Sequence, residues 1–486
     1  MTAVRFENAK VLTLDQWAPV ESALLVQDGI IQAAGTADDV VDLYGATVVP
    51  GFIDNHCHLM AMATWSASVE CGPAYVGSID QLISRLWGAE PRGNSDWIFG
   101  VGYDDLLMAE RRHPTAVDLD RVTTTRPILL THSSGHAHVM NTRGMALLGI
   151  TASSEEPRGG AIDRVAETGE PSGLLLEMGE YIASQLPRRT NSEQVAAVES
   201  SLHKLASVGV TTSTDAGHRN DVASLGTMAV AGRRSGVPRL QAMLRPGIKR
   251  DLPGEDQTPL ATYTKVMLTG LGGTMSLGLD QLRELATAEH AIGSPGIAIH
   301  AVETDVVNLA ARLANMLSDD LPSFIVRIEH ASKAPADTLS AVKHSGATIV
   351  TQPGFIWSRG DRYVATGSSI DELYPLRDWL SSQVPLAYGS DAPYGPISPV
   401  TAIQAAATRR SSSGQLVGGT QAIDAAEALS MVTRSGDGRQ RTLRPGESAD
   451  FVVLSGNPIT IESDRIGEIQ VIATYVAGRK IWPLSD

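Results

Sequence analysis

Two histidines at alternate positions could supply half of a metal site. The sequence places His56 and His58 on either side of Cys57, just after the apolar stretch 48–53. In an extended strand alternate side chains point the same way, so both imidazoles would be presented together while Cys57 faces the opposite side. Imidazole and carboxylate are ligands that zinc and similar ions accept, and an ion that keeps one position open for water can bring the pKa of that water to about 7. The pair therefore predicts part of a catalytic metal centre.

Four further candidates lie in or at the end of β-type runs. His300, His330 and Asp391 each end such a run, and Lys265 lies within one. A free lysine is a poor ligand because its amine is protonated at neutral pH, so only burial that lowers its pKa would make it available, and it could instead extend from a strand edge to solvent. We predict that five residues at strand ends bind metal: His56, His58, His300, His330 and Asp391.

An alternation of strands and helices would position these residues. Between roughly residues 200 and 435, short β-type runs alternate with longer helix-type stretches, which is typical of repeated βα units around a parallel sheet. Eight such units close into an α/β fold, the (β/α)₈ TIM barrel, whose catalytic residues lie at the carboxyl ends of the strands. The predicted strands are Val48–His58, Val210–Asp215, Arg239–Leu244, Thr264–Leu268, Ile297–Ala301, Ile325–His330, Thr348–Gln352 and Leu386–Asp391.

The two terminal segments share a sequence pattern that differs from that of the middle of the chain. Residues 1–50 and 440–486 contain short β-rich runs with hairpin turns, and we expect them to form one small composite β-sandwich domain beside a barrel domain of residues 51–439. Residues from approximately 60 to 195 are too many for an ordinary βα connection. We expect an ordered insertion after the first barrel strand, which would emerge at the catalytic mouth and could form a lid.

The composition favours a small-molecule substrate. Lys and Arg total 39 against 54 Asp and Glu, a net charge of −15 in 486 residues, which argues against nucleic acid and anionic membranes as partners. Only Cys57 and Cys71 are present, and the N-terminus has neither the basic start nor the apolar core of a signal peptide. We expect a cytoplasmic protein, with a homodimer as the default assembly.

Seven short segments spread over nearly the whole chain carry motifs: 50–58 (PGFIDNHCH), 134–137 (SGHA), 173–177 (GLLLE), 209–212 (GVTT), 327–331 (RIEHA), 389–393 (GSDAP) and 445–451 (PGESADF). In this order they resemble the amidohydrolase superfamily, and within it the YtcJ-like group that includes N-substituted formamide deformylases. The resemblance implies a barrel with a β-sandwich built from both termini. It also implies a metal-dependent hydrolase that cleaves a non-peptide carbon–nitrogen bond, such as an amide, formamide or cyclic amide, by attack of metal-activated hydroxide.

The same resemblance implies roles for individual residues. Asp391 would accept a proton from the attacking water and pass it to the leaving nitrogen. Zinc is the expected metal, with manganese or iron(II) as alternatives. One or two ions would be bound: the more buried one by His56, His58 and Asp391, the second by His300 and His330, with Lys265 bridging them as a carbamate formed from carbon dioxide.

The chain departs from the group's pattern at two places. The usual His-Ala-x-Gly-Asp has become His300-Ala-Val-Glu303-Thr, and the usual Asp-Gly after the fourth-strand lysine has become Thr269-Gly270. The His-x-x-Glu spacing resembles deaminases of the superfamily, so an alternative is a mononuclear amino-heterocycle deaminase with Glu303 as proton shuttle. Glu303 could equally stand near a helix start because an acidic side chain is favoured there.

A third alternative is a catalytically inactive barrel that serves as a binding or scaffold protein, because a fold alone does not establish a function. We favour amide hydrolysis, since the resemblance is nearly full-length and every candidate ligand is retained. His136 and Trp357 are candidates for contacting substrate, although each could be an ordinary loop or packing residue. We expect the remaining histidines with no strand before them to be structural: His113, His203, His290 and His344.

Overall fold

A computed structural model describes most of the chain as two compact units, one of residues 60–197 and one of the remaining described parts. Thr269, Gly270 and His344 lie outside the described residues. The described ranges are 3–16, 20–66, 68–89, 96–157, 159–187, 189–234, 236–248, 261–268, 276–334, 336–343, 345–367 and 369–484.

Eight parallel strands form a nearly closed barrel, and their order around the sheet is their order in the chain. The strands are Phe52–Cys57, Val210–Asp215, Arg239–Leu244, Ala261–Met267, Gly296–Ala301, Ile325–His330, Thr348–Thr351 and Leu386–Tyr388. The helices that accompany them are Asn191–Ser207, Val222–Gly232, Leu279–Ala291, Thr304–Asp320, Ala336–Val342, Gly354–Ala365, Leu376–Ser381, Pro399–Thr408 and Ala425–Val432. The predicted eight-stranded parallel barrel of an α/β fold is confirmed.

Sequence patterns explain why these helices form against the barrel. The helix Thr304–Asp320 buries Val306, Leu313 and Leu317, which recur at helical spacing and place one apolar stripe against the strands. The helix Ala425–Val432 begins at a capping box, in which the Asp424 side chain accepts from a backbone N–H of the first turn and a glutamate reciprocates.

The prediction of one continuous strand from Val48 to His58 is wrong. The chain forms Thr47–Pro50 in a terminal sheet, passes through Gly51, and then forms the barrel strand Phe52–Cys57. A Cβ on Gly51 would lie 2.8 Å from the Cβ of Thr211, closer than real side chains approach, so a glycine is required at this change of sheet. The segment thus belongs to two sheets and continues from one into the other.

The last predicted strand is also too long. It ends at Tyr388, and the chain then turns so that Asp391 adopts a left-handed backbone with φ of 54°. The Asp391 N–H donates to the carbonyl of His56 at 2.7 Å, and the His58 N–H donates to the carbonyl of Ala392 at 2.8 Å. These bonds join the segment after the last barrel strand to the end of the first one, at the edge that carries the candidate ligands.

The termini form two further sheets. The six-stranded sheet contains, in spatial order, Arg479–Trp482, Val471–Val476, Phe451–Leu454, Thr47–Pro50, Lys10–Leu12 and Val20–Glu21. The four-stranded sheet contains Ile30–Gln32, Leu24–Gln27, Ala3–Glu7 and Asp39–Asp42. Phe6 of the smaller sheet packs edge-on against Phe451 and Tyr475 of the larger one, within a shared apolar cluster.

Residues 60–197 form their own sheet and their own apolar cores. The strands in spatial order are Ala161–Arg164, Pro171–Leu176, Ala137–Met140, Ile128–His132, Ile98–Tyr103 and Val69–Glu70. The helices are Leu59–Trp65, Ile79–Trp87, Ala116–Asp120, Thr142–Leu148 and Gly179–Gln185. Throughout the described ranges, none of the helices combines the length and the apolar character needed to cross a membrane.

Candidate metal centre

The first barrel strand and the turn after the last one bring three ligand groups together. His56 Nε2 lies 3.6 Å and His58 Nε2 3.0 Å from the same oxygen of Asp391, and one ligand atom from each residue lies within 4.8 Å of the others. Cys57 between the histidines is buried, its thiol directed at the carbonyl of Thr214, and burial raises its pKa. The alternation expected from the sequence therefore separates two imidazoles from a non-reactive thiol.

The Asp391 carboxylate is held in its charged form. Burial alone would raise its pKa, but the hydrogen bond from His58, followed by the positive charge that neighbouring imidazoles carry at low pH, outweighs it and holds the pKa well below the ordinary value. Both Asp391 and His330 have left-handed backbones, with φ of 54° and 70°. Such a conformation costs a non-glycine residue about 1–3 kcal/mol and persists only where the surrounding structure imposes it.

His300 and His330 lie next to this group. Their ring centroids are 4.5 Å apart, and that of His330 is 4.8 Å from that of His56. Burial, followed by neighbouring positive charge, lowers the pKa of His56 to about 4, of His330 to about 3 and of His300 to about 2. All three imidazoles are therefore neutral at pH 7, which is the form that binds a metal ion.

Lys265 joins the cluster from the fourth barrel strand. Its side chain is buried, and among the described residues its Nζ has no hydrogen-bond partner. Burial lowers its pKa to about 8, although the carboxylates of Glu329 and Asp391 oppose that effect. An unpartnered buried amine of reduced basicity is unusual in a folded protein and fits a lysine whose nitrogen carries a further group.

Three polar residues that sequence reasoning missed surround the histidines. Glu329 Oε2 accepts from His56 Nδ1 at 2.5 Å, while Glu329 Oε1 accepts from Arg327 Nε at 2.9 Å. Gln352 Oε1 accepts from His330 Nδ1 at 3.0 Å. The imidazoles of His56 and His330 therefore each have one nitrogen occupied by an outer partner, as metal-binding histidines do. The available signal was the spacing of Arg327 and Glu329, two residues apart on one barrel strand.

The chemistry of the donor set fits divalent metal binding. Neutral imidazoles, a carboxylate of lowered pKa and a buried amine of lowered basicity converge at one edge of the barrel. Zinc accepts such nitrogen and oxygen ligands in four- or five-coordinate sites. The residues that would hold the ions are His56, His58, Lys265, His300, His330 and Asp391.

The other predicted site residues are more exposed. Glu303 precedes the helix Thr304–Asp320 without a capping hydrogen bond from its side chain, and its carboxylate lies 3.8 Å from Lys333 Nζ. His136 Nδ1 lies 3.0 Å from Glu177 Oε2 on the exposed surface of its unit. Trp357 is partly exposed and lies in the helix Gly354–Ala365 rather than in a loop.

A second group of ligand-type residues lies within residues 60–197. Ligand atoms of Asp104, Asp105 and His132 lie within 4.8 Å of one another. Asp105 Oδ1 is 3.2 Å from His132 Nε2, and His113, which we expected to be purely structural, approaches Asp105 Oδ2 at 3.7 Å. The Ser134 N–H donates to His132 Nδ1, which places the His132 proton on Nε2, facing the carboxylate. That tautomer makes a hydrogen-bonded pair rather than a free ligand.

His203 and His290 lie outside both groups of ligand-type residues. His290 packs edge-on against Phe324, with ring centroids 5.7 Å apart. His203 has a buried Nε2 without a hydrogen-bond partner among the described residues.

Comparison with known proteins agrees with this arrangement. The chain is 28% identical to an N-substituted formamide deformylase of Arthrobacter pascens, over 97% of this chain and 96% of the relative. It is 24% identical to the putative amidohydrolase YtcJ of Bacillus subtilis (strain 168), over 95% and 96%. A crystal structure of an uncharacterized metal-dependent hydrolase from Pyrococcus horikoshii OT3 has the same fold, with a TM-score of 0.73 at 21% identity, covering 95% of this chain and 99% of that one.

A family model provides the assignment. The model described as the amidohydrolase family matches residues 39–481, which include all eight barrel strands and every candidate ligand. The predicted resemblance to the YtcJ-like group and the predicted class of enzyme, a hydrolase acting on carbon–nitrogen bonds, are confirmed. The chain belongs to the amidohydrolase family.

Proposed function

We propose that the protein hydrolyses an amide-type carbon–nitrogen bond of a small molecule, with one or two zinc ions bound at the carboxyl edge of the barrel. The observation that carries the proposal is the cluster of His56, His58 and Asp391, whose ligand atoms lie within 4.8 Å of one another. The unpartnered amine of Lys265 supports a second ion, since a carbamate on that nitrogen would be a bridging ligand.

The bound ion would supply a water molecule that is nucleophilic at neutral pH. Asp391 is the residue that would accept the proton of that water, because its carboxylate is ionised and is shared with His56 and His58. The same carboxylate would then return the proton to the leaving nitrogen. Neutral His300 and His330 would complete the ligand set without adding positive charge that would repel an ion.

The substrate class follows from the relatives. An N-substituted formamide is the first compound to test, because one relative is named a deformylase of such compounds. Other N-acyl and cyclic amides belong in the same panel, along with amino-heterocycles that would report deamination. Release of formate or another acid together with an amine supports the proposal, whereas release of ammonia from an amino-heterocycle supports the deaminase alternative.

Two substitutions separate the enzyme readings. We expect Lys265→Ala to abolish turnover and to halve the metal content if two ions are bound. Glu303→Gln should leave activity largely intact, because that carboxylate is exposed and faces Lys333. Metal analysis after purification with zinc, or with manganese and bicarbonate, gives the decisive result: a chain that binds no divalent ion would support the inactive-scaffold reading instead.

Several finer assignments accompany this proposal. The shared core of the two terminal sheets supports a β-sandwich built from residues 1–50 and 440–486. The barrel domain would then comprise residues 51–439, with an insertion of approximately residues 60–195. A cytoplasmic location, a homodimer, and substrate contacts by His136 and Trp357 are further proposals, which fractionation, sedimentation and substitution would test.

A further inference from the structure

A short buried hydrogen bond joins the candidate ligand His56 to Glu329, which is not itself a candidate ligand. Glu329 is fully buried and divides its two carboxylate oxygens between His56 Nδ1 at 2.5 Å and Arg327 Nε at 2.9 Å. The carboxylate of Glu329 and the guanidinium of Arg327 form a fully buried ion pair. An ionised carboxylate can only accept hydrogen bonds, so the proton between Glu329 and His56 lies on Nδ1.

We infer that Arg327 and Glu329 act together as positioning residues, which fix the tautomer of His56 so that its Nε2 lone pair faces the metal position. This inference rests on the proposed function of the site. It adds two residues that do not themselves bind the metal but determine which nitrogen of His56 is available to bind it. Of the two Glu329 oxygens, Oε2 orients the imidazole of His56 and Oε1 is held by the guanidinium of Arg327.

The geometry around Arg327 shows why the carboxylate cannot turn. Arg327 is itself buried, and its Nη2 donates to the backbone carbonyl of Asn55 at 2.9 Å, directly before His56 in the chain. Its guanidinium lies over the ring of Tyr263, 4.7 Å from the centroid. On another side, a Cβ on Gly436 would lie 2.8 Å from Arg327 Cζ. The arginine is therefore confined, and it holds both the backbone beside His56 and the carboxylate behind it.

Substitution by the nearly isosteric glutamine distinguishes tautomer control from ordinary packing. In Glu329→Gln, Arg327 can donate only to the amide oxygen, so the amide NH₂ group would face His56 Nδ1. A donor in that position requires a lone pair on Nδ1, and His56 would then carry its proton on Nε2. The ligand nitrogen would be blocked although the shape of the side chain is almost unchanged.

The test measures zinc affinity and the tautomer separately, on the whole 486-residue chain. Zinc affinity is determined by competition with a chromogenic chelator. The protonated nitrogen of His56 is read from ¹⁵N NMR of the metal-free protein labelled at histidine, and His56→Gln assigns the resonance. We expect Glu329→Gln to weaken zinc binding by about 10- to 100-fold and to move the proton from Nδ1 to Nε2.

Two further variants test whether a loss of zinc affinity comes from a general disturbance of the fold. Asp450→Asn is the matched control, because Asp450 is likewise a buried carboxylate that accepts from an arginine, Arg239, at 3.0 Å, and it should bind zinc as the parent does. In the double variant Arg327→Met with Glu329→Gln, the amide is no longer held by the guanidinium and can turn its oxygen to His56. We expect the double variant to recover part of the affinity that Glu329→Gln alone loses.

The outcomes are distinguishable. If the parent protein binds no zinc, the proposed function is overturned, while the NMR of the metal-free parent still shows whether Nδ1 carries the proton. A proton on Nε2 in the parent, or parent-like affinity and tautomer in Glu329→Gln, overturns the inference and leaves the proposed function standing. A double variant that binds zinc no better than Glu329→Gln also contradicts it.

Discussion

Gly436→Ala tests the confinement of Arg327 from a position that is neither charged nor a ligand. Gly436 is buried, and an added Cβ would lie 2.8 Å from Arg327 Cζ and 3.2 Å from the side-chain oxygen of Asn55. The first distance is shorter than real side chains allow. The guanidinium would have to move, and it cannot do so without disturbing its bond to Glu329.

The magnitude follows from these contacts. Inserting a methyl group into a packed interior costs about 1–3 kcal/mol, and a hydrogen bond between charged groups contributes about 1.5–3 kcal/mol. These two costs overlap, because the movement that relieves the clash is the one that weakens the hydrogen bond. We therefore expect the free energy of unfolding to fall by about 3 kcal/mol, which most domains survive.

Urea unfolding of the metal-free protein at 25 °C, followed by tryptophan fluorescence and circular dichroism, measures this change. Gly88→Ala is the matched control, because its backbone, with φ of −88°, suits alanine and its added Cβ would meet nothing within 4 Å. The control should stay within about 0.5 kcal/mol of the parent. If Gly436→Ala changes neither the free energy of unfolding nor the zinc affinity, Arg327 is not confined as described, and the reasoning fails.

Three other expectations follow from buried polar groups. Asn55→Ala should lower the free energy of unfolding by about 1–3 kcal/mol in the same urea assay, because the amide of Asn55 donates to two backbone carbonyls and its loss leaves them unsatisfied. Burial lowers the pKa of His138 from 6.5 to about 4 in the folded chain, so the unfolded state binds more protons between these values and stability falls as the pH drops from 6.5 to 4. The free energy of unfolding, measured across that range, should fall as the pH drops, and His138→Gln should reduce this fall by up to about 3 kcal/mol. A variant with the same dependence of the free energy of unfolding on pH as the parent would contradict the burial of this imidazole. Cys57 and Cys71 are buried with raised thiol pKa values, so a thiol reagent at pH 8 should label neither in the native protein and both in urea; rapid native labelling would show that these thiols are accessible.

The sequence was sufficient to predict the barrel and the residues now proposed as ligands. Short apolar runs that end in a histidine or an aspartate are a strong signal of barrel strands that carry metal ligands, because parallel strands place their carboxyl ends at one edge of the sheet. Three predicted strands, Val210–Asp215, Arg239–Leu244 and Ile325–His330, have the bounds found in the structure. Strand periodicity could not show the break at Gly51, because Thr47–Pro50 and Phe52–Cys57 are both buried along their whole length, so neither shows an alternation that would mark where one strand ends.

The polar groups behind the ligands were not predicted, for a physical reason. Side-chain alternation assigns Glu329 and His330 to opposite faces of a strand, whereas the left-handed backbone of His330 ends that alternation and lets both contribute to one site. The group of Asp104, Asp105 and His132 was not predicted, because the strand-end argument was applied to the barrel strands and not to the ordered insertion. Its signal was of the same kind as in the barrel, a run from Ile128 that ends in His132.

Because the chain passes at Gly51 from a terminal sheet into the barrel, a C-terminal strand supports the candidate metal centre although it contributes no candidate ligand. The strand Phe451–Leu454 pairs residue by residue with Thr47–Pro50, and Phe451 stands opposite Pro50, only six positions before His56. A protein shortened after residue 450 would keep every candidate ligand and yet lose the strand that anchors the start of the ligand-bearing segment. Tolerance to C-terminal truncation should therefore end well before the last ligand, Asp391, is reached.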